Sequence, residues 1–284
     1  MWRWILIVAC LWTSVATAQT PSRIVSTSPS ITEALFALGL GDRVVAVSQY
    51  CRFPPAVERL PKIGTFLKPD VELIARLRPD LTVVHSGPYQ IERRLEILKL
   101  PFVTVERGSL SSTFSSIRAI GAAAGVSDRA AALVATIEAR LQRVRQAVAG
   151  KKPQKVLLIV GRRPGTLTDL IAVGPGSYMS DLAAIAGGVN VLSQGGLPEY
   201  PRISMETVIR LAPDVIIDAG DMGDRPEQRE ARKILTEGLW KRQQLVAARN
   251  GRIHAVVSDA FVVPGPRLVE ATETMALWLH GVGR

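Results

Sequence analysis

Cysteine and histidine are scarce, with two and three residues in a chain of 284. That excludes a disulfide-stapled scaffold and a four-cysteine zinc site, and leaves too few imidazoles for a histidine-rich metal centre. Aromatic residues are only 5% and charged residues 21%, yet 47% of the chain is hydrophobic, which excludes a disordered or collagen-like polymer. Several enzyme signatures are missing as well: there is no G-x-x-x-x-G-K-[ST] phosphate loop, no H-E-x-x-H and no G-x-S-x-G elbow. Gly174-Pro175-Gly176-Ser177 is glycine-rich, but its proline removes an amide that a phosphate cradle would use. Past the first eighteen residues, no stretch approaches the roughly 20 continuous apolar residues of a membrane helix.

Those first residues have a pattern of their own. Met1–Ala18 carries one basic residue (Arg3), an apolar run from Trp4 to Trp12, and an Ala16-Thr17-Ala18 end. This is the expected form of a secretory signal cleaved after Ala18. Cys10 follows Ile7-Val8-Ala9, a faint lipoprotein pattern, but the apolar run ahead of it is short. Without the signal, Cys51 is a lone thiol, and loss of Arg3 takes the formal net charge from +10 to +9. The basic excess is mostly arginine, 27 Arg against 8 Lys, and is dispersed along the chain. Dispersal suits a solvated surface, and export speaks against a nucleic-acid partner.

The remaining chain alternates strand and helix. Arg23–Thr27 reads as a strand, followed by a helix over Ile31–Leu38 in which Ser30 and Glu33 form a capping box and Gly39 ends the run. Strands at Val44–Val47, Leu81–Val84 and Phe102–Val105 alternate with helices near Val71–Arg78 and Ile91–Lys99, a pattern of parallel sheet with crossover helices. Ser127-Asp128 then opens a long helix whose apolar positions Leu133, Ile137, Leu141, Val144 and Val148 step by 4, 4, 3 and 4. Gly150-Lys151-Lys152-Pro153 stops it, and Lys155–Val160 starts the pattern again.

The second half repeats the first. Val71-Glu72-Leu73-Ile74-Ala75-Arg76-Leu77-Arg78-Pro79-Asp80 aligns without gaps on Met205-Glu206-Thr207-Val208-Ile209-Arg210-Leu211-Ala212-Pro213-Asp214, with five of ten positions identical. Each stretch precedes a strand, and the helix at Ile31–Leu38 has a counterpart at Met179–Ile185. The expected architecture is α/β: two similar lobes with parallel sheets flanked by helices, bridged by one long α-helix, with a ligand cleft between the lobes. The corresponding divisions are residues 1–18 for the signal, 19–125 for the first lobe, 126–150 for the bridging helix and 151–284 for the second lobe.

Twelve aromatic residues follow the signal, and seven fall in expected loops: Tyr50, Phe53, Phe66, Tyr89, Tyr178, Tyr200 and Phe261. Loop aromatics at strand ends suit an apolar-walled cleft for a large flat ligand, because rigid rings bury area at low entropic cost. Arg52, Arg162, Arg163, Arg202 and Arg267 lie in or beside the same segments and could meet carboxylates or phosphate. Cys51 fits a buried inert thiol, with a soft axial ligand to a metal chelate as the alternative. His85, after a strand end, and His254, in a strand, both read as structural, with His85 the better candidate for the cleft.

Taken together the chain resembles the periplasmic solute-binding proteins of ABC importers for iron complexes and vitamin B12. The resemblance rests on Arg23–Glu33, Val47-Ser48-Gln49-Tyr50-Cys51-Arg52-Phe53-Pro54-Pro55, Pro61-Lys62-Ile63-Gly64, Glu72 through Leu81, Pro198–Ser204 and Ser258-Asp259-Ala260-Phe261. It covers nearly the whole chain after the signal and is strongest toward cobalamin-binding members. It implies a periplasmic, non-enzymatic monomer with no resident cofactor, which captures a metal chelate. A corrinoid is the first candidate, a ferric siderophore the second and haem the third. The implied ligand-binding positions are Tyr50, Cys51, Arg52, Phe66, Tyr200, Arg202, Asp259 and Phe261. Glu72 and Glu206 match the positions at which the family docks on arginines of an inner-membrane permease dimer. The residues alone allow a plainer reading of those glutamates, as i,i+4 partners of Arg76 and Arg210 near helix starts. The rival of another class is an exported thiol-dependent or chelatase-like enzyme using Cys51.

Overall fold

The computed structural model describes residues 20–282 apart from 88–89, 195 and 223–225; the signal segment and Tyr89 therefore lie outside the described residues. The first lobe runs β1 (Ile24–Ser26), α1 (Pro29–Ala37), β2 (Val44–Val47), α2 (Val71–Arg76), β3 (Leu81–His85), α3 (Ile91–Ile97), β4 (Phe102–Val105) and α4 (Leu110–Ala123). Its strands form a fully parallel sheet in the order β2-β1-β3-β4. After α5 (Ser127–Val148) the second lobe runs β5 (Gln154–Gly161), β6 (Leu170–Ala172), α6 (Tyr178–Ile185), β7 (Gly188–Asn190), β8 (Arg202–Ile203), α7 (Met205–Leu211), β9 (Val215–Asp218), α8 (Arg229–Lys241), α9 (Val246–Arg249), β10 (Ile253–Ala255) and α10 (Leu268–His280).

The second sheet has the order β10-β9-β5-β6-β8 and departs from a purely parallel arrangement. Along β5 the first residues pair in parallel with β7, and the last pair antiparallel with β6, which carries β8 antiparallel in turn. Eight residues make β5 long enough to hold both neighbours on one edge.

The ten-residue repeat has one structural meaning in both lobes. Asp80 accepts from the backbone N–H groups of Ser22 (2.7 Å) and Arg23 (2.8 Å), while its own N–H donates to the Arg23 carbonyl (3.0 Å). Asp214 does the same at β5, accepting from Lys155 N–H (2.9 Å) and donating to the Lys155 carbonyl (2.8 Å). Two residues earlier, Arg78 (φ 47°) and Ala212 (φ 44°) both turn the chain left-handed at the helix end. The repeated Pro-Asp thus braces the first strand of each lobe.

On α5 the buried residues are Ala130, Val134, Ile137, Leu141, Val144 and Val148, the expected stripe, with Leu133 on its edge. It packs on α4 and α10, and one continuous buried cluster runs from Ile24 through these helices to Leu279. Polar ties also cross between the lobes. Tyr178 N–H donates to the Gly108 carbonyl (2.7 Å), Leu110 N–H to Asp181 (2.9 Å), and Arg267 forks onto Glu33 (3.0 Å through Nε). Burial raises the Glu33 carboxyl against the opposing pull of Arg267.

Three local expectations are corrected. Ser28, not Ser30, caps α1: its Oγ accepts from Ile31 N–H, because Pro29 takes the first helical turn and holds Ser28 extended. Glu33 is thereby free for Arg267 instead of a capping box. At α5 no side chain caps the start, and Asp128 contributes only through its charge in the first turn. Helices α4, α8, α9 and α10 have no counterpart in the sequence reading; α4 is hidden by its serine-rich start, although Ser109 caps it through Ser112 N–H (3.1 Å).

Candidate functional site

The parallel strands of the first lobe all point their C-terminal ends at one cleft of about 440 Å³. Pro29 and Ser30 follow β1, Tyr50 follows β2, His85 ends β3 and Arg107 follows β4; Phe66 joins them from the loop before α2. The facing wall belongs to the second lobe: Tyr178 at the start of α6, Glu199 and Tyr200 before β8, and Val262–Pro264. Gly174 makes that wall possible. A Cβ there would sit 2.2 Å from the Pro198 carbonyl oxygen, so only glycine lets the 198–201 loop press against the sheet. The loop is then held by Gly174 N–H to the Glu199 carbonyl (2.8 Å) and Ala172 N–H to the Pro201 carbonyl (2.9 Å).

Tyr50 and Tyr200 line the cleft and remain 53% and 41% exposed. Phe66 meets the His85 ring edge-on at 5.8 Å and carries the Arg107 guanidinium over its face at 5.2 Å. Burial, aided by the Arg107 charge, pushes the His85 imidazole down to about 4, so it is neutral at pH 7. Its Nε2 shares a hydrogen bond with Ser30 Oγ (3.0 Å). Burial pushes the Tyr200 phenol up to about 12 in spite of a hydrogen bond with Ser177 Oγ (3.3 Å), with the Glu199 charge adding to the rise. The cleft thus offers neutral aromatic faces, phenol hydroxyls and a neutral imidazole, with one cation and one carboxylate among the described residues, on opposite walls. Among the described residues no group of three or more His, Cys, Asp or Glu side chains could hold a metal ion by itself.

The structure brings Tyr50, Phe66 and Tyr200 together and places the other expected ligand positions elsewhere. Cys51 is buried beneath α1, its sulfur against Thr32 Oγ1 (3.1 Å) and Ser48 Oγ (3.2 Å), and burial pushes its thiol up. A Ser48–Cys51 turn aims the sulfur inward (3.1 Å, Cys51 N–H to the Ser48 carbonyl), away from the cleft. Arg52, beside it, is partly buried and is not in the cleft wall. Arg202 is exposed on β8, bordering a separate depression with Asp169 and Glu206. Asp259 is engaged by Arg229 (2.8 and 3.0 Å). Phe261 is buried against Trp278 at 5.3 Å, and only its carbonyl serves the cleft, by holding the Tyr178 hydroxyl (2.9 Å). The residues 259–261 form a 3-10 turn, which rotates successive side chains by about 120°. Phe261 therefore faces α10 while the next residues, Val262 and Val263, face the ligand space.

Of the remaining arginines, Arg162 is fully buried against Asp218, Arg163 pairs with Asp169, and Arg267 lies over Phe53 at 3.9 Å while forking onto Glu33. The cleft arginine is instead Arg107, which sequence reasoning missed; its signal was its place just past the strand end at Val105. His254 stacks on Trp278 at 4.6 Å, a structural role as expected. Glu72 and Glu206 occupy the same second position of α2 and α7, behind the caps Asp70 and Ser204, and both are exposed. Neither reaches ion-pairing distance of Arg76 or Arg210, unlike Glu237–Lys241 on α8 (3.3 Å). The i,i+4 reading of these glutamates is thereby corrected.

Two α/β lobes, one long connecting helix and an interlobe cleft at the strand ends define a binding protein of the two-lobed kind. The chain belongs to the periplasmic binding protein family, whose sequence profile matches residues 24–260. It is similar to the vitamin B12-binding protein of Vibrio cholerae serotype O1, at 26% identity over 261 residues, 90% of this chain and 88% of that one. It is equally similar, 26% over 271 residues, to the "Uncharacterized ABC transporter substrate-binding lipoprotein YvrC" of Bacillus subtilis (strain 168), covering 92% of this chain and 81% of that one. Its fold matches the periplasmic heme-binding protein of Roseiflexus sp. RS-1 in apo form with a TM-score of 0.76 and 28% identity, over 90% of this chain and 97% of that one.

Proposed function

We propose that this protein is the periplasmic substrate-binding component of an ABC importer. In this reading it captures a planar metal chelate of the tetrapyrrole type, a corrinoid first of all, and presents it to a permease. The observation that carries it is the pair of aromatic walls: Tyr50 and Phe66 from one lobe face Tyr200 from the other across a single cleft. Rigid ring faces on both sides suit a large flat ligand, which they desolvate while losing little entropy of their own. Residues 1–18 serve as the export signal, cleaved after Ala18, and the released protein acts as a monomer with no resident cofactor. No reaction is catalysed. The thiol-dependent alternative needs an accessible thiolate, whereas Cys51 is buried and held protonated.

Calorimetric titration with cyanocobalamin tests this reading. One-to-one binding with Kd below about 1 μM, or about −8.2 kcal/mol, is expected. Absence of heat would remove the corrinoid. Haem is the second reading, favoured by His85 and the Tyr50 and Tyr200 hydroxyls, nitrogen and oxygen donors on the cleft wall. A Soret shift on adding haemin, with no response to cyanocobalamin, would put it first.

Delivery is assigned to Glu72 and Glu206. Two exposed carboxylates at equivalent positions of equivalent helices suit a pseudo-symmetric partner carrying arginines, such as a permease dimer. The Ser204 hydrogen bond holds the Glu206 carboxyl below the usual range, so it is charged when it meets that partner. In Glu72→Ala/Glu206→Ala, uptake in cells is expected to fall to background while cyanocobalamin affinity stays within twofold. Retained uptake would remove the docking role.

A further inference from the structure

Arg107 sits where the lobes meet. On one side, the Glu106 carbonyl accepts from Ser116 Oγ on α4 (2.8 Å); on the other, the Gly108 carbonyl accepts from Tyr178 N–H of the second lobe (2.7 Å). The backbone of this short segment is therefore pinned to both halves of the molecule, and its side chain enters the cleft beside Phe66. Its charge is unspent. Arg140, Arg162, Arg163, Arg229, Arg232 and Arg267 each hold a carboxylate, but among the described residues none lies within ion-pairing distance of Arg107. Among the described residues the one carboxylate of the cleft wall, Glu199, stands on the opposite lobe and forms no ion pair with it. The field of Arg107 is nevertheless felt in the cleft, where it disfavours a second positive charge on His85.

A cleft of uniformly neutral aromatics would accept any flat apolar ligand. This one is polarised, with a forked donor at the lobe junction and an acceptor across from it. A guanidinium matches two oxygens of a phosphate or carboxylate at once, and its contact gains strength when a ligand excludes water from it. We propose that Arg107 determines specificity in the cleft by binding an anionic oxygen group, phosphodiester or carboxylate, carried on the edge of the captured chelate. This rests on the tetrapyrrole reading above and narrows it to chelates with an anionic arm directed at the lobe junction.

Two ligand pairs separate the sources of that group. Cyanocobalamin and dicyanocobinamide differ by the phosphodiester-linked nucleotide; haemin and haemin dimethyl ester differ by their carboxylates. In the native protein one anionic member is expected to bind at least about tenfold more tightly than its partner. Arg107→Gln is expected to abolish that preference by weakening the anionic member alone, leaving the other within twofold; Arg107→Lys, which keeps the charge but not the fork, falls between. The comparison within each pair removes effects of ligand bulk, since the variant and the native protein see the same two molecules. An equal loss for both members, or no loss for the anionic one, overturns the assignment while leaving the tetrapyrrole reading in place. Binding of none of the four overturns both.

Discussion

Asp218→Ala is expected to lower the free energy of unfolding by about 3–5 kcal/mol, measured as a shift of the urea midpoint, because it strips a fully buried guanidinium of its nearest counter-charge. Asp218 ends β9 and accepts three bonds there, from Arg162 Nε (3.0 Å), Trp240 Nε1 (2.6 Å) and Gly220 N–H (2.7 Å). Arg162 comes from the loop after β5 and Trp240 from α8, so one carboxylate ties two strands to the helix that covers them. The Arg162 side chain has no solvent contact, and its other partners are Thr236, the Thr166 carbonyl and the longer contact to Asp221 (3.4 Å). None replaces the charge at Nε. Glu273→Ala is the matched comparison: Arg140 and Glu273 make an equally good fork (3.1 and 2.8 Å), but both are about one-third exposed. Water can rescue that guanidinium, and the loss is expected to stay near or below about 1 kcal/mol. Similar losses for the two variants would mean that Arg162 finds water or another partner on unpairing.

The second large effect concerns the ligand. Tyr50→Ala/Tyr200→Ala is expected to weaken cyanocobalamin binding by about a thousandfold, from roughly 2 kcal/mol per ring, with little change in thermal stability. Both residues lie outside the buried core, Tyr50 about half exposed and Tyr200 rather less, so removing the rings takes away cleft surface that a ligand would cover and leaves the core intact. Calorimetry on the double variant checks the loss. Tyr200→Phe separates ring from hydroxyl: it keeps the face, gives up the Ser177 bond, and is expected to lose less than about tenfold. Unchanged affinity in the double variant would place the ligand elsewhere on the molecule.

Each residue that the sequence placed well owes its position to its own segment. The α5 stripe is written in steps of three and four because one face of one helix is buried, whatever the neighbours are. Pro79-Asp80 and Pro213-Asp214 repeat because each lobe must brace its first strand in the same way. Tyr50 and Phe66 reach the cleft because loops after the parallel strands of the first lobe open there, and Tyr200 reaches it from the loop before β8. The misplaced residues obey contacts that no local pattern encodes. The sequence put Asp259 and Phe261 in the right turn but could not say which way the 3-10 rotation throws each side chain. It proposed Arg202 and Arg267 for the ligand, whereas Arg267 meets Glu33 across 234 positions and Arg202 faces solvent on β8. Ser30 looked like a cap and instead holds His85.

By itself, then, the sequence determined the two α/β lobes, the helix between them, the family and the aromatic character of the cleft. The lobes and the helix follow from periodicity, turn residues and a duplicated segment, each legible within a short stretch of chain, whereas the family rests on the resemblance of motifs spread along it. Only the tertiary structure decided which charges face the cleft. An arginine is spent or unspent according to whether a carboxylate from a distant segment reaches it, as Asp218 reaches Arg162 and Glu33 reaches Arg267, and as none reaches Arg107 among the described residues. That pairing is settled by packing within the second lobe for Arg162 and between the lobes for Arg267, where distance in space bears no relation to distance in sequence.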